Sequence, residues 1–205
     1  TLVGSLPVST TSNCGLTSEL NGYTAGGYGA QQICRVSYSS DGNGVDVANM
    51  SVAKGQCSNS TDTVNGYTMG GGQGGNLYLR VDKFVYATEA DATNIGDLIA
   101  GGYRTGGASS LTHGYGTGGG MNGPFSNVID KFNFAGSFTA TDVGNLLATK
   151  MGVTGTSSTT YGYCAGGNPP AGIDVIEKVS FSADGNSADV GNLAVPKDYA
   201  AGTSY

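Results

Sequence analysis

A unit that recurs along the chain constrains its fold more strongly than any other feature. The element Gly-Tyr-x-x-Gly-Gly begins at residues 22, 66, 114 and 162, so its copies lie 44, 48 and 48 residues apart. The third copy is followed by an alternating run at 129–134 (IDKFNF) and by DVGNL at 142–146, and the other copies keep this order. Elements that recur in one order at a fixed period indicate a repeat protein.

Each unit is predicted to contain four short strands, a to d. Strand a is the Ser/Thr-rich segment before Gly-Tyr, strand b the Gly-Tyr-x-x-Gly-Gly element, strand c the alternating run and strand d the Asp-Val-Gly-Asn-Leu type run. The alternation at 129–134 places apolar side chains on one face of strand c and polar ones on the other. Asp-Gly-Asn at 41–43 and 184–186 suits a tight turn between strands c and d. No window has a helical period, so the chain is predicted to be all-β.

The repeat boundaries divide the chain into four complete units and two partial ones. Units 1 to 4 are predicted to span 7–50, 51–98, 99–146 and 147–193, with partial repeats at 1–6 and 194–205. A period of 44–48 residues with four antiparallel strands matches one blade of a β-propeller. We therefore expect residues 1–205 to form a single β-propeller domain or a fragment of one. The partial repeats would supply only strands d and a of a fifth blade, so we expect the natural chain to be longer at one or both ends.

The order of these motifs resembles the kelch repeat. In that family a hydrophobic run ends in a double glycine, and a Val-x-x-Tyr-Asp type strand follows, as strand c follows strand b here. The tryptophan that usually closes strand d of a kelch repeat is absent, and Leu98, Leu146 and Leu193 stand in a comparable place. The resemblance implies a propeller of four-stranded antiparallel blades.

The sequence motifs of the repeats also resemble those of proteins encoded by marine bacteriophages, which are typically virion or tail-fibre-like proteins. The resemblance rests on GY-x-x-GG, VIDKF-x-F and ATDVGNL and extends over nearly all 205 residues. It implies a structural or host-surface-binding role in a virion or outside the cell. The partners implied are other virion proteins, copies of the chain itself and a glycan of the host surface. The alternative is a secreted microbial propeller that binds glycans as a lectin does.

Charge and hydropathy argue against two classes of partner. The formal net charge is −6 and the nine Lys and Arg residues are scattered, whereas nucleic-acid binding needs clustered cations. No apolar run approaches the roughly 20 residues that span a bilayer, so membrane insertion is not expected. The four cysteines lack zinc-site spacing. Cys14 and Cys57 occupy similar places in successive repeats, and either a disulfide between them or buried thiols fits the sequence.

No arrangement of residues predicts an enzyme or a cofactor. His113 is the single histidine, too few for a metal triad or for the copper site of kelch-like galactose oxidases. No Gly-x-Ser-x-Gly elbow is present, and the glycine-rich stretches precede strands rather than a helix N-terminus that could bind phosphate. Asp41, Asn43 and Asp46 loosely resemble a calcium loop, but turn propensity already explains them.

An acid and a lysine recur side by side on strand c. The pairs are Asp82-Lys83, Asp130-Lys131 and Glu177-Lys178. Adjacent strand residues point to opposite faces, so neighbours in sequence do not form a catalytic pair. We interpret the six residues as a structural ring, in which each acid bonds a lysine or the backbone of a neighbouring blade.

The loops between strands b and c vary while the framework stays constant. They span 72–78, 120–126 and 168–172 and are expected on one face of the propeller. Variable loops on a rigid repeat commonly form binding surfaces, although neutral insertions would give the same pattern. The candidate binding residues are Gln73, Asn76, Met121, Asn122, Pro124, Phe125, Asn168 and Pro169.

Overall fold

The computed structural model describes residues 4–100, 102–120, 124–136, 139–168, 171–200 and 202. These residues form eighteen strands and no helix, which confirms the prediction of an all-β chain. Sixteen of the strands form four antiparallel sheets of four strands, one sheet for each predicted unit.

In every sheet the strands lie side by side in chain order. The sheet of unit 1 contains β1 (Cys14–Thr17), β2 (Asn21–Ala25), β3 (Gln32–Ser37) and β4 (Val45–Asn49). The sheet of unit 2 contains β5 (Ser58–Thr61), β6 (Asn65–Met69), β9 (Arg80–Val85) and β10 (Thr93–Asp97). The sheet of unit 3 contains β11 (Gly106–Ser109), β12 (His113–Thr117), β13 (Val128–Asn133) and β14 (Thr141–Asn145). The sheet of unit 4 contains β15 (Thr154–Ser157), β16 (Tyr161–Ala165), β17 (Ile173–Ser180) and β18 (Ala188–Lys197).

Three details depart from the pattern read in the sequence. The Asp-Gly-Asn segments at 41–43 and 184–186 lie in connections of seven residues, 38–44 and 181–187, and do not form tight turns. One of them instead contacts the preceding unit, since Asn186 Oδ1 accepts the N–H of Asn145 at 3.0 Å. The segment at 72–78, interpreted as a loop, contains a small hairpin of β7 (Gly72–Gln73) and β8 (Asn76–Leu77). The last strand continues to Lys197, which pairs with Ile173, so the partial repeat placed at 194–205 begins inside strand d of unit 4.

The double glycine that closes strand b is required by the backbone. In unit 1, Gly26 and Gly27 have φ angles of 65° and 123°, which side-chain-bearing residues rarely adopt. The N–H of Gly27 donates to the carbonyl oxygen of Lys54, in the connection that enters unit 2, at 3.0 Å. The glycine pair therefore both turns the chain out of the sheet and holds the start of the next unit.

The hydrophobic cores lie between successive units. Tyr67 of strand b in unit 2 is fully buried against strand c of unit 3, with its ring centroid 5.7 Å from that of Phe132 and 4.6 Å from that of Phe134. Tyr23 makes the same contacts with the aromatic residues of unit 2, and Tyr115 stacks on Phe181 of unit 4. Because each core needs side chains from two units, a unit depends for its stability on its neighbours.

The a strands lie beside one another at the centre of the molecule. Together with Gly202 they line a cavity of about 190 Å³. The approach is close enough that a Cβ atom on Gly155 would collide with the carbonyl oxygen of Gly107, and one on Gly107 with that of Asn59. A Cβ atom on Gly15, at the same place in unit 1, would meet nothing within 4 Å. Small residues therefore set the spacing of the units at the centre.

Alanine at these glycines tests the close approach. We expect Gly155→Ala to lower the free energy of unfolding by about 1–3 kcal/mol, because the neighbouring backbone must move. Gly15→Ala is the matched control and is expected to leave stability unchanged or slightly raised. Urea denaturation followed by circular dichroism measures both, and equal effects of the two substitutions would contradict the packing described.

Candidate functional site

The acidic residues of the c strands are buried between units. Asp82, Asp130 and Glu177 are 1%, 2% and 1% exposed. Asp82 accepts a hydrogen bond from the Ser51 hydroxyl at 2.6 Å, and its carboxylate lies 3.3 Å from Nζ of Lys54. The Lys54 side chain is itself fully buried, and this burial lowers the pKa of its ammonium group, an effect that the carboxylate of Asp82 opposes.

Unit 4 repeats this arrangement with a second lysine. Nζ of Lys150 pairs with Glu177 Oε1, and the other carboxylate oxygen accepts hydrogen bonds from the Leu147 N–H, at 2.9 Å, and from the Ser187 hydroxyl. Lys54 and Lys150 each stand four residues after the end of the preceding strand d motif. The lysine that reaches the acid is therefore in the connection between units.

The lysines next to the acids in sequence face away from them. Lys131 Nζ lies 2.8 Å from Asp184 Oδ1, Lys178 Nζ lies 4.6 Å from the ring centroid of Tyr161, and Lys83 is partly exposed. Of the six residues interpreted as a structural ring, Lys131 contacts the next unit at the surface through Asp184, and the three acids are buried at the interfaces between units. The partners of the three acids are Lys54, Arg80, Lys150, hydroxyl groups and backbone N–H groups.

Asp130 has no such lysine. Gly102 stands where Lys54 and Lys150 stand in the neighbouring connections, and the carboxylate accepts backbone hydrogen bonds from Ile99, at 3.1 Å, and Ala100, at 3.2 Å. Burial raises the pKa of this carboxyl to about 6, more than the two hydrogen bonds lower it. A Cβ atom on Gly102 would press against Tyr78 and Leu77 beside the β7–β8 hairpin, which explains why a lysine does not fit there.

The candidate residues of the b–c loops fall into two groups. Gln73, Asn76, Pro124, Phe125 and Asn168 lie in the described part of the chain, whereas Met121, Asn122 and Pro169 lie outside the described residues. The side-chain carbonyl of Gln73 accepts the N–H of Gly29, in the loop of unit 1, at 2.7 Å. Nδ2 of Asn168 lies 3.3 Å from Asp198 Oδ2. These two amides therefore tie loops to their neighbours, while Asn76 and Pro124 are exposed.

A ring of residues just before the a strands was not identified from the sequence. Its five members are Ser12, Gln56, Arg104, Gly152 and Tyr199. All five have a left-handed backbone, with φ between 55° and 66°, although only one of them is glycine. Each of the last four donates its N–H to the carbonyl oxygen of the preceding member at 2.8–3.0 Å. Non-glycine residues in this conformation cost about 1–3 kcal/mol each and tend to cluster at functional sites.

Arg104 is the cation of this ring and is held from three sides. Its Nε donates to Oε1 of Gln56, and its Nη1 donates to the hydroxyl of Tyr199 at 2.6 Å. The guanidinium carbon lies 4.4 Å from the ring centroid of Tyr199 and 5.1 Å from that of Tyr103, both cation–π distances. No ion pair joins Arg104 to a carboxylate among the residues that the structure describes. A preorganised arginine without a carboxylate partner can accept one from a ligand.

The ring surrounds a cavity of about 380 Å³, here called the central mouth. Its lining residues are Ser12, Asn13, Gln56, Cys57, Arg104, Thr105, Gly152, Val153, Tyr199 and Ala200. The volume falls in the range of about 300–1,000 Å³ that is usual for small-molecule sites. Isolated β-bridges join Gly55 to Gly72 and Met151 to Asn168, so the mouth and the b–c loops share one face.

A disulfide between Cys14 and Cys57 borders the central mouth and resolves the alternative left open by the sequence. It joins β1 to the segment just before β5, across 43 residues, with a Cα–Cα distance of 5.9 Å. Cys34 and Cys164 are buried free thiols. The bond links units 1 and 2 beside the strained backbone of the ring.

The remaining candidates for chemistry lie apart from the mouth. His113 is partly exposed, and Nδ1 of its ring lies 2.8 Å from the Thr112 hydroxyl. Burial and the nearby Lys131 lower the pKa of His113. Within the described ranges, no group of three or more His, Cys, Asp or Glu residues could hold a metal ion. Nor does that part of the chain contain a helix long and apolar enough to cross a bilayer.

Comparison with known proteins shows the fold and nothing finer. No family model and no curated protein matches the sequence. Among solved structures 199 chains match, including YjhT, a propeller-type protein, with a TM-score of 0.78 and 13% sequence identity. The likeness covers 97% of this chain and 70% of that one. A fold shared this widely does not specify an activity.

A double-mutant cycle tests the buried pair of unit 2. Lys54→Met should lower the free energy of unfolding by about 3–5 kcal/mol, because it removes the buried and closer cation of the Asp82 carboxylate and leaves only Arg80, whose Nε lies 3.7 Å away. Adding Asp82→Leu should recover most of that loss. Chemical denaturation of the wild type, the two single variants and the double variant gives the coupling free energy between the side chains. Additive losses would show that the two side chains do not interact.

The pH dependence of stability tests the isolated carboxyl of Asp130. Because its pKa is raised in the folded chain, its stabilising contribution is full below the ordinary value near 4 and is lost as the pH rises through about 6. Between pH 4 and 7, the wild type should lose on the order of 2 kcal/mol more stability than Asp130→Asn. Denaturation of both proteins at the two pH values measures this difference, and parallel pH profiles would contradict it.

Proposed function

We propose that the chain is a kelch-like β-propeller scaffold, without a catalytic role, that recognises a surface glycan at its central mouth. The four sheets would be blades, and their a strands would surround the propeller axis. The likeness to YjhT and the recurring cores between units support this arrangement. The b–c loops would form the rim of the same face.

The observation that carries the proposal is the ring of left-handed residues. One backbone conformation is kept at five equivalent places, while the side chains differ from unit to unit: serine, glutamine, arginine, glycine and tyrosine. A constant backbone with variable polar side chains is how repeat proteins build a specific site on a uniform scaffold. Strain of this kind persists where the surrounding structure enforces it, and here the ladder of backbone hydrogen bonds does so.

The chemistry of the mouth suits a sugar. Tyr199 is 51% exposed and offers an aromatic face, while Ser12, Asn13 and Gln56 supply hydroxyl and amide groups for a ligand rich in hydroxyls. Arg104 adds a preorganised cation that would pair with a carboxylate. An acidic glycan, such as a polymer of uronic acids, combines both features.

Two further observations support binding rather than catalysis. Among the described residues that line the mouth there is no histidine and no carboxylate, and the hydroxyl of Tyr199 is already bonded to Arg104. The disulfide suits an oxidising compartment, such as the space outside the cell. The placement in a bacteriophage virion, with virion proteins or copies of the chain as partners, rests on the wording of the repeats and stays a prediction. A secreted lectin-like propeller is the alternative setting for the same site.

Titration with matched sugars tests the role of Arg104. We expect oligogalacturonate to bind at least about tenfold more tightly than a neutral galactose oligomer, because only the former has carboxylates for the guanidinium group. Arg104→Gln should abolish this preference. Lys178→Gln removes the same charge away from the mouth and should leave it intact. Isothermal titration calorimetry measures the affinity of the wild type and of both variants for each sugar.

The outcomes separate the mouth from the loops. Retained preference in Arg104→Gln would contradict recognition at the mouth. If binding is lost instead when the loop at 120–126 is replaced by a Gly/Ser segment, recognition belongs to the rim. No binding of either sugar, nor of any other glycan on an array, would reject the proposed function.

A further inference from the structure

Unit 4 exposes a face that, in units 1 to 3, is buried against the unit that follows. The residues concerned are Tyr163, Ala165, Ile176 and Leu193, all of them partly exposed. The equivalent tyrosines Tyr23, Tyr67 and Tyr115 are 3%, 0% and 1% exposed, because strand c of the following unit covers each of them. The same interface is therefore built three times and left open once.

Lys197 adds a charge to this open face. It stands four residues after Leu193, as Lys150 stands four residues after Leu146. Its carbonyl oxygen accepts the N–H of Gly167 at 2.9 Å, just as that of Lys150 accepts the N–H of Gly119 at 2.8 Å. Lys54 and Lys150 are each paired with a carboxylate on strand c of the unit that follows. Among the described residues no ion pair joins Lys197 to a carboxylate.

A second copy of this chain does not complement the face. The copy would offer the strand c face of unit 1, where Tyr38 is 59% exposed. Cys34 occupies the place of the acid there, and Thr10 occupies the place of the lysine in the connection before it. Unit 1 therefore lacks both the acid of strand c and the lysine of the connection before it. Lys197 would meet a thiol instead of a carboxylate.

We propose that the open face of unit 4 is a docking site for the b–c hairpin of one further unit of the same repeat type. That hairpin carries an aspartate or glutamate opposite Lys197 and an aromatic residue two positions later to cover Tyr163. Gly202 already lies against Gly155 as Gly155 lies against Gly107, so the place of strand a beside this face is taken. The hairpin of strands b and c is what the face lacks. The site is independent of the central mouth and of the glycan proposal.

The experiment supplies such a hairpin to the full chain. Residues 112–136 of unit 3, which include Asp130, Phe132 and Phe134, are appended after residue 205 through a flexible Gly/Ser linker. A scrambled hairpin of the same composition is the control. We expect the thermal midpoint to exceed that of the control by at least about 4 °C. Asp130→Asn in the appended copy alone, or Lys197→Met in the chain, should each reduce the gain, and the two together should reduce it no further.

Tyrosine truncation gives a second readout. Tyr163→Ala should lower the thermal midpoint little in the unmodified chain but clearly in the chain with the hairpin, because only there is the ring covered. A midpoint equal to that of the scrambled control would overturn the proposal. A rise in the thermal midpoint that neither charge substitution reduces would overturn the pairing with Lys197. Dimers of the unmodified chain in sedimentation, if lost on Tyr163→Ala, would assign the face to a second copy and also overturn it.

Discussion

Burial of the strand b tyrosine between successive sheets is the interaction on which the rest of the structure depends. Tyr67 is the clearest case, since its ring is fully buried between Phe132 and Phe134 of the next unit and its hydroxyl donates to Asp62 at 2.9 Å. Burying an aromatic side chain of this size contributes about 1.5–3 kcal/mol, and the aromatic pairs add to it. The sheets of units 2 and 3 each contribute to two cores, and those of units 1 and 4 to one, so the stability of the fold comes mainly from the interfaces between sheets.

The buried charges fit into this arrangement because they lie at the same interfaces. Lys54 and Lys150 reach from a connection into strand c of the unit that follows, where each pairs with a carboxylate. Lys54 also donates to two backbone carbonyl oxygens. Such pairs add little net stability, but breaking one is costly, so they favour one register of unit upon unit. The carboxyl of Asp130, which lacks the lysine, shows the consequence in its raised pKa.

The sequence predicts the units and their strands because those features are local. Alternation at 129–134 and the double glycine act within a few residues, and both appear where expected. The Asp-Gly-Asn segments lie between strands c and d as predicted, but in connections of seven residues instead of tight turns. The partner of each acid could not be predicted by proximity, because it comes from a connection about thirty residues away in sequence. A lysine four residues after the last residue of the strand d motif, at 54, 150 and 197, was the available signal.

The central mouth was missed for a different reason. Its five residues share a backbone conformation but no residue type, so they form no motif. Only the alignment of units in space brings Gln56, Arg104 and Tyr199 together. The b–c loops are recognisable in the sequence because they vary in length, whereas the ring positions differ only in their side chains. Functional positions of this kind become visible once equivalent places are compared between units.

Amide hydrogen exchange under native conditions tests most directly whether the interfaces between units hold the fold together. If they do, the strand b amides of units 2 and 3, which are covered on both sides, exchange only through global unfolding. Those of β16 in unit 4, which has one uncovered face, should exchange faster through local opening. Equal protection of strand b in all four units would contradict the account, because each sheet would then be stable by itself.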